Sequence, residues 1–420
     1  MTITYSRTTR PFFTWLADSL GVSPDEIADT WNDGQSSDCF PPFERDSVLV
    51  AVEMLGPVDR AIFTGDEPWD RFPVTFRQVA TSFETTMRCA DTCTYNIVLA
   101  DNGVPVMVWA IDGNIDIDVI VTSPDVEARE QVLRRIRNLV EGPASTWRGQ
   151  RILFDRRETS WFRHLAPARR SGISLDEDLQ QELRRNLIVP IRHFGTDDRL
   201  ADRRGVLLHG RPGTGKTWAL EWVQAEVAEA NDSATVIVTT PMMFGHGSPM
   251  KDLFDFAEEA APVLIVMEDV DLAHLNRKMG PVGTDALGEM LQFMDGPARV
   301  RGAFVAATTN YPQVLDSALT KRPGRFDRKI EVGDAHAEAR RQMAELLLER
   351  IGSSTESVDA IVSRTDGWSL AELDEAAHLA VLTSLDTGEP VDLLSALDQV
   401  HRGDKALGDK GEDQRGIGYV

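Results

Sequence analysis

The chain has 420 residues, which at about 150 residues per domain allows two or three domains and excludes a single small module. Its 44 Lys and Arg against 67 Asp and Glu leave a formal charge of −23, a field that repels phosphate backbones and anionic lipid surfaces and argues against a general binder of either. An apolar content of 42% with 26% charged residues belongs to a folded globular protein.

Three cysteines, Cys39, Cys89 and Cys93, show neither the paired CxxC spacing of a zinc site nor the density of a disulfide scaffold, which fits a reducing, cytoplasmic compartment. The N-terminal stretch has only short apolar pieces broken by Asp and Ser, so no secretory leader is expected, and no apolar run approaches the roughly 20 residues of a membrane span.

In chain order, residues 1–165 read as an α+β domain. SVLVAVEM (47–54), NIVLA (96–100), VPVMVWA (104–110) and IDVIVT (117–122) are short β-like runs separated by turn signals such as Asp101-Asn102-Gly103. Asp125 to Val140 has helical spacing, with Val132, Leu133, Ile136, Leu139 and Val140 to one side. Cys89 and Cys93 have no His or further Cys pair beside them and read as buried structural thiols. HLAPARRSG (164–172) combines Pro, Gly, small and basic residues, and places a linker at 166–174.

Leu175 to Val189 is expected to form an amphipathic helix ended by Pro190, since the residue before a proline is pushed out of helical geometry. Strands then alternate with helices: GVLLHG (205–210), a helix from Lys216, TVIVTT (235–240), a helix near 251–260, PVLIVM (262–267), a helix near 284–294 and GAFVAATTN (302–310). This alternation predicts, over 175–334, an α/β core with a parallel sheet sandwiched by helices. Residues 335–402 read as a helical lid, and the charged, glycine-rich 403–420 as a disordered tail.

Gly210-Arg211-Pro212-Gly213-Thr214-Gly215-Lys216-Thr217 has the pattern G-x-x-x-x-G-K-[ST] between an apolar strand and a helix, which is the context its chemistry needs. Gly210, Pro212, Gly213, Thr214 and Gly215 let backbone N–H groups curl around the phosphates of ATP. Lys216 reaches the β and γ oxygens, and the Thr217 hydroxyl ligates Mg²⁺. About fifty residues on, the apolar strand 263–267 ends in Glu268-Asp269, followed by Asp271. Carboxylates at such a strand end hold Mg²⁺ and place an attacking water. The usual order is Asp then Glu. Here it is reversed, so Glu268 takes the metal-facing position beside Thr217 and Asp269, one methylene shorter, the water-activating one.

With these motifs placed, residues 173–402 resemble an AAA-type ATPase module of the AAA+ superfamily. DLQQELRRNLIVPIRHF (178–194), DLFDFAEEAAPVLIVMEDVD (252–271), LGEMLQFMDG (287–296), AATTN (306–310) and LDSALTKRPGRFDRKI (315–330) are similar to that family's blocks in order and spacing. The resemblance implies that Asn310 is the sensor-1 residue orienting the lytic water. It also implies that Arg322 and Arg325 are arginine fingers completing a neighbouring subunit's site, and hence a homo-oligomeric ring, a hexamer. Gly367-Trp368-Ser369-Leu370-Ala371-Glu372-Leu373 is similar to the start of the family's lid helix, with Ser369 as N-cap, Leu370 in place of a glycine and no sensor-2 arginine.

Met243-Phe244-Gly245 is the nearest match to the pore loop of unfolding members. The Glu-Asp order resembles that of a mitochondrial translocase of the family, without its membrane anchor. The expected function is an ATP hydrolase that remodels a protein client chosen by residues 1–165, with nucleic acid disfavoured apart from a basic patch at Arg163–Arg170. Two alternatives stand beside it. One is a slowly hydrolysing nucleotide-gated switch. The other is a feeder ATPase docking on a peptidase ring through Tyr419-Val420, which is similar to the penultimate tyrosine of proteasome activators.

Overall fold

The computed structural model describes residues 11–23, 26, 35–63, 71–72, 74–92, 94–112, 117–157, 160–169, 172–197, 199–200, 203–239, 249–271, 300–311, 326–352 and 357–400. The chain divides into two compact units, Met1–Ala166 and Pro167–Val420. No helix among the described residues is long and apolar enough to cross a membrane.

The first unit contains α1 (Pro11–Leu20), β1 (Gln35–Phe40), α2 (Arg45–Met54), β2 (Asp59–Phe63), β3 (Arg71–Phe72), β4 (Phe76–Ala80), β5 (Thr86–Ala90), β6 (Tyr95–Leu99), β7 (Pro105–Asp112), β8 (Ile117–Thr122), α3 (Val126–Val140), β9 (Arg151–Arg157) and β10 (Ser160–His164). Among the described residues, six strands form a sheet in the order β1-β8-β7-β6-β2-β3, with every neighbouring pair antiparallel. Side chains alternate across it as the pleat dictates. Val106, Val108, Val119 and Val121 join Val48, Val52, Val132 and Ile136 of α2 and α3 in one core. Ile97 and Met107 face the other way, into a second core with Trp15, Leu16 and Leu20 of α1. α3 starts where the Asp125 carboxylate accepts the Ala128 N–H at 3.0 Å.

The run 47–54, expected as a strand, is instead helix α2. Ser47 to Val52 are all buried, so no polar face marks the helical period, and a short apolar run of this kind reads alike as strand or buried helix. Cys89 lies on β5, buried in the α2/α3 core, where burial, reinforced by the Glu53 and Asp46 charges, pushes its thiol up to about 12. Cys93 lies outside the described residues.

The second unit opens with α4, which runs Glu177–Leu183, widens through a π-turn at Arg184–Ile188 and resumes over Val189–Arg192. The helix therefore passes Pro190 rather than ending before it. The wider turn relieves the clash between the pyrrolidine ring and the preceding turn's carbonyl that would stop an α-helix. β11 (Arg204–His209), α5 (Lys216–Ala230), β12 (Thr235–Thr239), α6 (Pro249–Glu259), β13 (Val263–Met267), β14 (Ala303–Thr309) and β15 (Arg328–Glu331) follow. Among the described residues of this unit, the strands are parallel neighbours in the order β12-β13-β14-β11-β15.

Val206, Leu208, Leu264 and Val266 pack with Leu220 and Val223 of α5 and Leu187 and Ile191 of α4. The intervening Leu207, Ile265, Val305 and Ala307, which the pleat turns to the opposite face, are buried as well, so the sheet has no wet side. The helical region comprises α7 (Ala337–Ile351), α8 (Val358–Arg364), α9 (Leu370–Thr387) and a last helix over 393–400. These share a core of Met343, Leu347, Ile361, Leu373 and Leu397 that also takes in Ile173. The helix expected near 284–294 and the tail 403–420 lie outside the described residues.

A titratable group is built into the first unit. His164 on β10 donates its Nε2–H to the Thr146 carbonyl. Burial holds its pKa below the usual 6.5, although that hydrogen bond and the Asp46 charge act the other way. The fold binds fewer protons than the unfolded chain just below pH 6.5, so this contribution to stability is complete above that pH and is lost as pH falls through the depressed pKa. Thermal melts between about pH 7.5 and about pH 5.5 should show a drop in midpoint that shrinks in His164→Gln. An equal drop in both proteins would refute the assignment.

Candidate active site

The C-terminal ends of β11, β13 and β14 open on one crevice, the position at which parallel α/β sheets hold ligands. From His209 the chain turns through residues 210–215 into α5. A Cβ on Gly210 would overlap the Val332 carbonyl, so the loop passes closer to the residue after β15 than any side chain permits. Gly213 has φ +79°, and a Cβ there would lie 2.6 Å from the Cβ of Ala371 on α9. Thr214 Oγ1 donates to the Arg211 carbonyl at 3.0 Å, which closes the loop on itself.

Lys216 is 6% exposed, and its Nζ donates to the Gly210 and Arg211 carbonyls at 2.9 and 2.7 Å. Burial pushes its pKa below the usual lysine value, opposed by the charges of Asp269 and Asp271. An ammonium enclosed by loop carbonyls at the N-terminus of a fifteen-residue helix is a site for a polyanion.

The acidic strand end lies alongside. Thr217 Oγ1 donates to Glu268 Oε2 at 3.3 Å. The pairing of a hydroxyl with one carboxylate suits Mg²⁺, which takes one or two protein ligands and completes its shell with phosphate oxygens and water. Among the described residues, Asp269 is the one non-glycine residue with positive φ, at 50°. Such a conformation costs about 1–2 kcal/mol and clusters at working sites. Its N–H donates to Thr308 Oγ1 and its Oδ1 accepts from Asn310 Nδ2, each at 3.0 Å.

Lys216, Thr217, Asp269, Thr308 and Asn310 face a cavity of about 820 Å³, ample for a nucleotide. Pro212, Gly213, Lys216, Thr217, Asp269 and Asn310 line it together with the apolar Ile173, Met343, Leu347 and Leu370. The fit to Mg-ATP therefore rests on the glycine cradle, the enclosed ammonium and the Thr217–Glu268 pair. The helical region closes over the loop. Ser369 caps α9 by accepting the Glu372 N–H at 3.2 Å, as expected for a lid-helix start, and the Ala371 N–H reaches the Gly213 carbonyl at 3.4 Å. Arg211 pairs with Asp334 and donates to the Gly367 carbonyl at 3.3 Å.

The structure thus brings Gly210 to Thr217, Glu268, Asp269 and Asn310 to one place. Arg322, Arg325, Met243, Phe244, Gly245, Tyr419 and Val420 lie outside the described residues. Three features escaped the sequence reading. Trp218 lines the cavity, as do Arg350 and Asp374, which pair at 2.7 Å. Asp271, visible in the sequence only as one more acid, is 3% exposed and accepts two hydrogen bonds from the end of β14. The Arg350–Asp374 pair joins two helices across 24 positions, and no local pattern announces it.

Comparison with known proteins agrees with this geometry. Residues 206–334 match the ATPase family associated with various cellular activities (AAA). The ATP-dependent zinc metalloprotease FtsH of Rickettsia bellii is 35% identical over 211 residues, 48% of this chain and 33% of that protein. The ATP-dependent zinc metalloprotease FtsH 2 of Salinibacter ruber is 33% identical over 288 residues, 66% of this chain and 41% of that protein. The ATPase family gene 2 protein of Schizosaccharomyces pombe is 30% identical over 231 residues, 52% and 28% of the two chains. The chain thus spans 28–41% of the length of these curated relatives. Among the described residues, no group of three or more His, Cys, Asp or Glu is placed to hold a metal ion, so nothing there parallels the zinc in two of those names. The phosphate loop, the acidic strand end, the strand order and the family match converge on one conclusion: residues 206–334 of this chain are an AAA domain of the AAA+ superfamily.

Proposed function

We propose that the chain is a Mg-ATP-dependent ATPase that assembles as a homo-oligomeric ring, a hexamer, and uses turnover to remodel or translocate a protein client held by residues 1–165. The observation that carries this reading is the meeting at one cavity, under the start of α9, of the Lys216 ammonium, of Thr217, which bonds Glu268 behind it, and of the Asp269–Asn310 pair. Mg-ATP would supply the scissile phosphoanhydride and the divalent charge. Lys216 and the loop amides bind the phosphates, and Thr217 and Glu268 hold the metal. Asp269 takes the proton from the attacking water, which Asn310 orients. Arg322 and Arg325 of a neighbouring copy contribute charge to the site, which makes turnover depend on assembly.

Relatives named as ATP-dependent proteases support work on a protein client, with Met243-Phe244-Gly245 as the contact in the pore. Cysteine usage supports a cytoplasmic setting. A slowly hydrolysing switch is the second reading, favoured by the short Asp269 side chain and its direct bond to Asn310. Docking on a peptidase ring through Tyr419-Val420 is a third, carried by the sequence alone.

Steady-state ATP hydrolysis should fall at least about 100-fold in Lys216→Ala, Asp269→Asn and Arg325→Ala. Mixing Arg325→Ala with Lys216→Ala should restore part of the rate, because an intact loop in one copy then meets an intact arginine in the next. Unchanged rates in all three variants would overturn the reading, and wild-type turnover near background with tight ATP binding would select the switch.

The contact between loop and lid makes a separate forecast. In Gly213→Ala the added methyl meets Ala371 and strains a positive-φ backbone, at a cost of about 1–3 kcal/mol. ATP affinity, read by titration calorimetry, should weaken about tenfold or more. Ala371→Gly in the same background should recover part of the loss by removing the opposing methyl. Full affinity in Gly213→Ala alone would contradict the contact.

A further inference from the structure

The end of β14 is bound to the turn after β13 by more than sheet pairing. Asp271 Oδ1 alone accepts both the Thr309 hydroxyl, at 2.7 Å, and the Asn310 backbone N–H, at 3.2 Å. Asp269 N and Val270 N donate back to Thr308 Oγ1 and to the Thr308 carbonyl, each at 3.0 Å. The last residues of β14 therefore cannot slide against the 268–271 turn without leaving a nearly dry carboxylate without these donors, which is costly. Asn310 is held at its backbone by Asp271, and its side-chain Nδ2 reaches Asp269 Oδ1 at 3.0 Å. Neither Asp271 nor Thr309 lines the cavity, whereas Asp269 and Asn310 both do. By direct contact, the first pair can reach a bound molecule only through the second.

We propose that Asp271, seated by Thr309, is a positioning residue that sets where the Asn310 amide and the Asp269 carboxylate stand in the cavity, acting as a hydrogen-bond acceptor at one oxygen and not through its charge. The proposal rests on the ATPase reading above. The reversed acidic pair is what gives the frame its importance. Asp269 has one fewer side-chain torsion than a glutamate and a backbone fixed at positive φ, so it has little freedom to follow a displaced Asn310. An error in the frame passes directly to the carboxylate.

The test compares Asp271→Ala, Asp271→Asn and Thr309→Val by kcat, by KM and by affinity for a non-hydrolysable ATP analogue, with circular dichroism to confirm folding. Asp271→Ala should lower kcat about 100-fold and leave analogue affinity within about threefold. Asp271→Asn, whose amide oxygen accepts both donors, should keep kcat within about fivefold of wild type, whereas a charge role predicts a loss equal to that of alanine. Thr309→Val, which also frees the Tyr311 N–H that Thr309 Oγ1 accepts at 3.0 Å, should lower kcat about tenfold, and the double variant Asp271→Ala/Thr309→Val should lose less than the product of the two single losses, since the Asp271–Thr309 bond is common to both.

An asparagine variant whose kcat falls about 100-fold below wild type, or wild-type kcat in Thr309→Val, overturns the proposal. Both outcomes can be read even if Asp271→Ala fails to fold. Wild-type turnover no higher than that of Lys216→Ala removes the ATPase reading and this proposal with it. Turnover well above that control with a flat Asp271 series removes this proposal alone.

Discussion

The enclosed ammonium of Lys216 is the constraint around which the second unit is arranged. Its hydrogen-bond partners are two carbonyls of its own loop, which offer partial charges only, and the carboxylates of Asp269 and Asp271 offset its burial from further off, so the ammonium stays charged and open to an anion. That holds within a chain whose formal charge is −23, where the field at large disfavours any phosphate. Capture must therefore be local and short-ranged, made by the lysine, the amides of the loop and the end of α5. The parallel sheet serves this arrangement by delivering three strand ends to one crevice, each bringing a different group: the loop from β11, the acids from β13 and the amide from β14.

Much of this was legible in the sequence, for identifiable reasons. A glycine-rich loop between an apolar strand and a helix has few other uses, and an apolar strand ending in acids is informative once such a loop precedes it. Ser369 announced the start of α9 through its capping chemistry. What failed to show was whatever depends on neighbours distant in sequence. Residues 48–52 are apolar on every side because the sheet and α3 surround them, and that erases the periodicity that tells a helix from a strand. Pro190 looked like a stop because a π-turn leaves no mark in composition. Asp271 looked like one solvated acid among several, since its partners lie about forty residues away on another strand.

The first unit is built on a different plan. Its antiparallel sheet is covered on both faces, by α2 and α3 on one side and α1 on the other, with separate cores. Beyond that sheet, β4 and β5 form a two-stranded ribbon of their own, where Phe76 lies beneath the guanidinium groups of Arg88 and Arg60 at 4.2 and 5.4 Å from the ring centre. A sheet buried on both sides keeps its strands for its own cohesion and leaves loops, helix ends and this ribbon to meet other molecules.

The seating of α9 on the phosphate loop has a temporal consequence. Gly213 lies against Ala371, and Arg211 is tied both to Asp334 and to the carbonyl of Gly367, so the loop and the helix that follows share one set of fastenings. A molecule lodged in the crevice lies beside those fastenings, since Gly213 and Ala371 both line the cavity. Where a helical element moves over a bound ligand, its opening is often a slower clock than bond cleavage, and the strength of such fastenings then bears on dwell time. One glycine, one alanine and one arginine thus sit where the time a ligand stays, a quantity separate from how tightly it binds, would be set.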